Sequence, residues 1–123
     1  DYIDRASSKP DLQILLYPVI TMSDDAIVHQ GSRTMLLGPN PSDDLKNFLS
    51  SEKQVTPDTP PAFIVHSTAD RTVPIANSDA YVAALEKNNV PLVDLRGPYG
   101  GHGFGLTPAW STQCIAWLRT KNF

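Results

Sequence analysis

The sequence has little that would support a disulfide, a metal site or a membrane span. Its single cysteine, Cys114, cannot form an internal disulfide. The three histidines lack the short spacing of metal ligands, so we predict neither a metal nor another cofactor. The longest apolar run, residues 14–20, has the length of a strand and contains a proline, so we predict no membrane span. These absences leave the cellular compartment open.

The chain also has little net charge. Ten Lys and Arg against 13 Asp and Glu give a formal charge of -3, which gives no reason to expect nucleic acid or an anionic membrane as a partner. With 123 residues, 41% of them hydrophobic and 19% charged, the composition is that of one globular domain at most. The first residue is Asp1, so we expect a chain that was processed or cut from something longer, with any targeting signal ahead of it.

A further absence concerns the nucleophile of a serine hydrolase. The pattern G-x-S-x-G, in which the serine occupies a strained turn between small neighbours, does not occur. Ser32 follows Gly31 but has no glycine on its other side. We therefore predict that this chain holds no serine nucleophile of its own.

The segments that are present alternate between strand and helix patterns. Residues 12–20 form an almost continuous apolar run, typical of a parallel strand that is buried on both faces. Leu45, Phe48 and Leu49 share one side of a short helix, and we expect that side to be buried. The alternation predicts an α/β fold with about three parallel strands and four or five helices. We place strands at 12–20, 62–67 and 92–95, and helices at 32–37, after an N-cap at Ser42, at 75–88, and at 108–121 after Thr107.

Two polar residues follow the ends of predicted strands. Asp70 comes after the strand at 62–67, and His102 lies in a glycine-rich loop after the strand at 92–95. The carboxyl ends of parallel strands meet at the edge where ligands bind, and one right-handed crossover places these two loops side by side. A carboxylate that orients an imidazole is the usual support of a serine nucleophile. We therefore predict that Asp70 and His102 are a catalytic acid and base; a turn-capping aspartate and an exposed loop histidine are the alternatives.

Other residues near these loops have weaker signals. His66 ends a strand, and we expect it to hydrogen-bond the backbone beside the site. Cys114 lies on the apolar side of the last helix and is predicted to be a small core residue. Val73 and Phe104 flank the two loops, where they either line a pocket for the acyl or alcohol group or pack beneath the loops.

Motifs through most of the chain carry a family resemblance. They are Ser-Lys-Pro-Asp at 8–11, Leu-Leu-Tyr-Pro-Val-Ile at 15–20, His-Gln-Gly-Ser at 29–32, Leu-Leu-Gly at 36–38, Glu-Lys-Gln-Val-Thr at 52–56, Thr-Pro-Pro-Ala-Phe at 59–63, and the segments around Asp70 and His102. Together they resemble the C-terminal part of an α/β-hydrolase of the bacterial lipase/esterase group, which includes acetyl-xylan-esterase-like and carboxylesterase-like enzymes. The order in that family is Ser, Asp, His. The resemblance thus implies Asp70 and His102 as the family's acid and histidine, with the serine and the oxyanion-hole loop upstream.

The resemblance also implies an activity and a partner. Residues 1–123 are expected to be the C-terminal portion of one α/β-hydrolase domain, a partial fold whose whole hydrolyses carboxylic esters, on acylated carbohydrate or other small esters. We expect the isolated chain to be inactive and to bind its missing N-terminal half or itself through an exposed sheet edge. Two alternatives stay open. One is a serine peptidase of the prolyl-oligopeptidase type, and the other is a non-catalytic hydrolase-like module that binds or scaffolds.

Overall fold

The computed structural model describes residue 5 and residues 7–121, and the fold is built on a three-stranded parallel sheet with the order β1-β2-β3. Strand β1 is Gln13–Leu16, β2 is Ala62–Ser67 and β3 is Leu92–Gly97. The register aligns Leu15 with Ile64, and Ile64 with Asp94. The helices of the described residues are α1 (Gln30–Leu37), α2 (Asp43–Phe48), α3 (Ala76–Lys87) and α4 (Pro108–Arg119), with a 3-10 turn at Ser51–Lys53. The predicted α/β class, with three parallel strands and flanking helices, is confirmed.

The central strand β2 is buried along its whole length. Successive side chains of a strand point to opposite faces, so β2 supplies both layers of the core. Ala62 and Ile64 pack with a cluster that includes Leu85 of α3. Phe63 and Val65 pack on the other face, against a cluster formed by Trp110 and Cys114 of α4 and by Trp117, Leu118, Leu16, Val93, Leu95, Tyr99 and Phe104. Cys114 is thus a core residue, as predicted, and burial raises the pKa of its thiol.

Strand β1 is shorter and more exposed than predicted. It ends at Leu16, because Tyr17 takes a left-handed backbone conformation with φ 41° and Pro18 has no backbone N–H to donate. It lies at the edge of the sheet, and Ile14 is 37% exposed. The prediction of a strand over 12–20 that is buried on both faces was therefore wrong. A continuous apolar run shows that a strand can be buried, but it does not show which other segments pack against it.

Helix α2 begins as predicted but does not bury its apolar side. Ser42 is the N-cap, and its side chain accepts a hydrogen bond from the backbone of Leu45. All residues of α2 are at least partly exposed, and Phe48 is 68% exposed. The prediction that this side is buried was wrong, because apolar periodicity shows which residues share a side of a helix but not what packs against that side.

The other helices and β3 differ from their predicted bounds by a few residues. Helix α1 begins two residues early because the His29 side chain caps it, accepting from the backbone of Ser32. Strand β3 continues two residues beyond its predicted end to Gly97. Thr107 occupies the N-cap position of α4, although its side chain accepts no bond from the described helix. Among residues 5 and 7–121, no helix has the length and apolar character needed to cross a bilayer.

Two buried polar side chains fix the irregular segment after β1. Asn77, in the first turn of α3, accepts hydrogen bonds from the backbone of Ile20 and Thr21 and donates to the carbonyl of Ile27. The hydroxyl of Ser50 accepts from the backbone of Met22 and Ser23. Both side chains are fully buried. Residues 20–27 are therefore attached to α3, beside the loop that contains Asp70.

Candidate active site

The turn after β2 fixes the carboxylate of Asp70. Its Oδ1 accepts hydrogen bonds from the backbone N–H groups of Thr72, at 2.9 Å, and Val73, at 3.0 Å. The Asp70 side chain is fully buried, which leaves Oδ2 directed at neighbouring side chains. The turn-capping role and the contact with an imidazole thus use different oxygens of one residue. They are not alternatives here.

His102 contacts the other oxygen of that carboxylate. Its Nδ1 lies 2.8 Å from Oδ2 of Asp70, and its side chain is 32% exposed. Because a carboxylate only accepts, Nδ1 must bear the proton. The neutral ring then keeps a lone pair on Nε2, at the accessible carboxyl end of the sheet. In this arrangement Nε2 can accept a proton from a nucleophile placed beside it.

The surroundings of Asp70 keep it ionised at neutral pH. Burial raises the pKa of its carboxyl group, but the hydrogen bonds from His102 and from the backbone of Thr72 and Val73 lower it by more. The pKa of Asp70 is therefore below its ordinary value. An ionised carboxylate stabilises the imidazolium that forms when His102 takes a proton.

The glycine-rich loop is anchored at both ends. Gly100, Gly103 and Gly105 have φ values of 116°, 79° and 72°, in the left-handed region that favours glycine. Ser67, the last residue of β2, donates from its hydroxyl to the carbonyl of Gly100 at 2.5 Å. Trp110 of α4 donates from its indole to the carbonyl of Gly105 at 2.9 Å. The first bond holds the loop against β2, the strand that also leads to Asp70, and the second holds it against α4.

An aromatic contact also holds the imidazole in place, and the sequence did not predict it. The ring of Tyr17 lies edge-on to His102, with centroids 4.6 Å apart, and edge-on to Phe104 at 4.9 Å. Phe104 in turn lies 5.5 Å from the ring of Tyr99. The only sequence signals were an aromatic residue inside the predicted strand at 12–20 and the proline that follows it. The left-handed conformation of Tyr17, which aims the ring at the site, cannot be inferred from them.

The two predicted pocket residues have different surroundings. The Val73 side chain is fully buried, and its backbone N–H and carbonyl bond Asp70 and His66 respectively. Phe104 is partly exposed beside Tyr17. A contact between substrate and either residue stays a prediction, and Phe104 is the one whose side chain solvent can reach.

The other two histidines lie in polar contacts of their own. His66 is fully buried, and it bonds the backbone carbonyl of Val73, as predicted. Its Nε2 also lies 3.2 Å from Oδ2 of Asp70. His29 caps α1, which is a structural role. Within the described ranges 5 and 7–121, His, Cys, Asp and Glu side chains form no group of three that could hold a metal ion.

Comparison with known proteins gives the family. The sequence profile of the prolyl oligopeptidase family matches residues 17–121. Endo-1,4-beta-xylanase B of Butyrivibrio fibrisolvens is 41% identical over 103 residues, which are 84% of this chain and 16% of the xylanase. An acetylxylan esterase of Xylanibacter ruminicola is 35% identical over 102 residues, which are 80% of this chain and 21% of the esterase.

Solved structures show the same fold. The acetyl ester-xyloside bifunctional hydrolase from Caldicellulosiruptor lactoaceticus has a TM-score of 0.92 and 37% identity, and the match covers 100% of this chain and 47% of that one. The carboxylesterase Cest-2923 from Lactobacillus plantarum has a TM-score of 0.74 at 22% identity, which shows the fold alone. The chain thus spans about half of these structures and 16 to 21% of the two curated relatives. It belongs to the prolyl oligopeptidase family and corresponds to the C-terminal part of the α/β-hydrolases that include acetylxylan esterases and carboxylesterases.

Proposed function

We propose that this chain supplies the acid and the histidine of a serine carboxylic ester hydrolase that acts on acetylated carbohydrate. The proposal rests on one observation, the 2.8 Å contact between Nδ1 of His102 and Oδ2 of Asp70 at the carboxyl edge of the sheet. The nucleophilic serine and the oxyanion-hole donors are proposed to come from upstream polypeptide, since no G-x-S-x-G occurs in residues 1–123.

The proposed reaction uses His102 twice. Its Nε2 takes the proton of the serine hydroxyl while the serine oxygen attacks the ester carbonyl, and Asp70 stabilises the resulting imidazolium. The imidazolium then gives this proton to the leaving alcohol as the C–O bond breaks, which leaves an acyl-serine. Water attacks the acyl group next, and His102 accepts a proton from the water and returns it to the serine oxygen. The carboxylic acid departs and the free serine is restored.

The proposed substrate class comes from two relatives above 30% identity. One is named an acetylxylan esterase, and the other is described as an acetyl ester-xyloside bifunctional hydrolase. Both names combine an acetyl ester with a xylose-containing carbohydrate. An acetylated plant polysaccharide is therefore the first substrate to test.

The test uses the complete polypeptide that contains this segment, with acetylated xylan and p-nitrophenyl acetate as substrates. We expect Asp70→Asn and His102→Ala each to lower kcat by about 10⁴-fold, because the first imposes the wrong imidazole tautomer and the second removes the base. His29→Asn is the matched control, since an Asn oxygen can still cap α1 and His29 lies outside the site; its kcat should not change. Normal acetyl release by either site variant would overturn the proposal.

The family match favours a second candidate, a serine peptidase. The profile over residues 17–121 is that of the prolyl oligopeptidase family, and an Asp–His pair serves amide and ester hydrolysis alike. A proline-containing peptide p-nitroanilide, assayed beside p-nitrophenyl acetate, separates the two. We expect kcat/KM to be higher for the ester. A higher kcat/KM for the peptide would assign the chain to the peptidase instead.

We further propose that upstream polypeptide covers the open side of β1. Ile14, Leu106 and Ile115, which are 37, 80 and 50% exposed, line an apolar cleft between β1 and α4. An unpaired strand edge beside apolar surface favours association. In size-exclusion chromatography we expect residues 1–123 alone to self-associate, and to hydrolyse p-nitrophenyl acetate no faster than a serine-free control. A monomer at both low and high concentration would contradict this proposal.

A further inference from the structure

We infer that His66 is a positioning residue for the Asp70 carboxylate, acting from the buried side of the site. The inference deepens the proposed function and rests on it. His66 is the last residue but one of β2, four positions before Asp70, and its side chain is fully buried. The turn that leads from β2 to Val73 therefore folds around this imidazole. The two ring nitrogens of His66 connect that turn to α3.

The contacts of His66 determine where its proton lies. Nε2 is 3.2 Å from the carbonyl oxygen of Val73 and 3.2 Å from Oδ2 of Asp70. Both neighbours only accept hydrogen bonds, so Nε2 must be the protonated nitrogen. Nδ1 lies 2.7 Å from the hydroxyl of Ser78, in α3. With the proton on Nε2, Nδ1 accepts and the Ser78 hydroxyl donates, which fixes both the tautomer and the plane of the ring.

A neutral ring suits this position better than a charged one. Burial lowers the pKa of His66, and this effect outweighs the opposing attraction of Asp70; the positive charge of Arg96 lowers the pKa further. An imidazolium here would form an ion pair with Asp70 and compete with His102 for its charge. The neutral ring, whose Nε2–H donates to the carbonyl of Val73, instead limits where Oδ2 can lie by its contact at 3.2 Å, and it leaves the charge of the carboxylate available to His102.

The shared oxygen explains why this contact matters to the reaction. Oδ1 of Asp70 is held by the backbone of Thr72 and Val73, whereas Oδ2 has the two imidazoles as neighbours. Without His66, the carboxylate can rotate about the fixed Oδ1 into the space that the ring leaves. The bond to His102 would then lengthen or tilt. Such a change affects the chemical step and leaves the binding of substrate unaffected.

The experiment compares His66→Leu with His66→Gln in the complete polypeptide. We expect His66→Leu to lower kcat on p-nitrophenyl acetate by about 10- to 100-fold, the scale on which removing the hydrogen-bond partner of a metal-ligating residue lowers activity. KM should stay within about twofold, because the interaction serves the transition state and not substrate binding. His66→Gln keeps an N–H donor near the place of Nε2, so it should recover part of the lost kcat.

Leu85→Ala is the control for a general loss of stability. Leu85 is fully buried in α3, in the cluster on the face of the sheet away from α4, whereas Phe104 in the loop of His102 belongs to the other cluster. This variant should unfold at lower denaturant concentration yet keep its kcat. A folded His66→Leu with unchanged kcat, or a Leu85→Ala that loses kcat equally, would overturn the inference. If His66→Leu does not fold, the same comparison is made with His66→Gln alone, which should show a smaller loss of kcat at unchanged KM.

A measurement that needs no turnover separates this inference from the proposed function. Nitrogen-15 NMR of labelled histidine reports which ring nitrogen carries the proton. We expect His66 in the Nε2–H form, and we expect Ser78→Ala to weaken that preference. An Nδ1–H ring in the unaltered protein would overturn the inference, whatever the activity. Full activity of Asp70→Asn would instead overturn the proposed function and leave the assigned tautomer standing.

Discussion

Two imidazoles contact the same oxygen of Asp70, one of them buried and the other partly exposed. His66 is fully buried and uses Nε2, and its Nδ1 is occupied by Ser78. His102 is 32% exposed and uses Nδ1, which leaves Nε2 toward the edge where substrates bind parallel sheets. Both ring nitrogens of His66 are therefore engaged, whereas His102 has one nitrogen available. In the proposed roles, His102 has a free nitrogen for proton transfer, whereas His66 has both nitrogens engaged and only supports the carboxylate.

The largest test of this comparison places one substitution at both positions. His102→Gln should lower kcat by about 10⁴-fold, since an amide cannot act as a base, and should scarcely change the free energy of unfolding. His66→Gln should reverse that pattern. It should cost about 1–3 kcal/mol in unfolding free energy, through incompletely paired buried groups, with a much smaller loss of kcat. Urea titration and steady-state kinetics on both variants measure the two quantities. Equal losses of kcat would remove the distinction between the two sides.

A smaller effect is expected from the anchor of the exposed side. Ser67→Ala removes the hydroxyl that donates to the carbonyl of Gly100, so the loop of His102 loses its link to β2. We expect kcat to fall by about 10-fold, and the free energy of unfolding to fall by about 1 kcal/mol. Restoration of the bond by Ser67→Thr should recover most of the kcat. An unchanged kcat in Ser67→Ala would show that Trp110 and Tyr17 suffice to hold the loop.

The smallest effect concerns pH and the buried side. The pKa of His66 is lowered in the folded protein, whereas the pKa of a histidine in an unfolded chain is about 6.5. Below that pH the unfolded state binds the proton first, so the free energy of unfolding falls as the solution is acidified. The pKa of Asp70 is also lowered, so this group further decreases the free energy of unfolding at lower pH. Urea titrations between about pH 7 and about pH 5 should show this slope, and His66→Gln should reduce it. A slope that persists in His66→Gln would assign it to other groups.

The sequence specifies the placement of the site well because the ends of two neighbouring parallel strands determine it. The apolar run at 62–67 is followed within a few residues by Asp70, so the carboxylate must lie at the end of a central strand. The glycines around His102 mark a loop after the next strand. Right-handed crossover then makes these loops neighbours. The 2.8 Å contact between the two side chains agrees with that reasoning, which needs no knowledge of distant packing.

The supporting contacts could not be predicted, because strand ends and crossovers bring segments together without showing which polar side chains pair between them. Ser67 meets Gly100 across 33 residues, and Asn77 meets Ile20 across 57. Hydroxyl and amide side chains give no periodic signal, so nothing in their spacing marks them as buried. The predicted burial of α2 and of β1 was wrong for a related reason: a pattern of apolar residues does not show what packs against them.

The hydrogen bonds between Asn77 and the segment after β1 limit which segments can be replaced by those of a related protein. Residues 20–27 are bound to α3 through one amide group that contacts only their backbone, so a transplanted sequence there must keep the same backbone path and have no proline at 20 or 21. All eight residues of α1, a short way further along, are at least partly exposed. Grafts that begin beyond residue 28 and keep Arg33, which donates to the carbonyl of Met22, can therefore vary this part of the surface without disturbing the helix that carries Asn77.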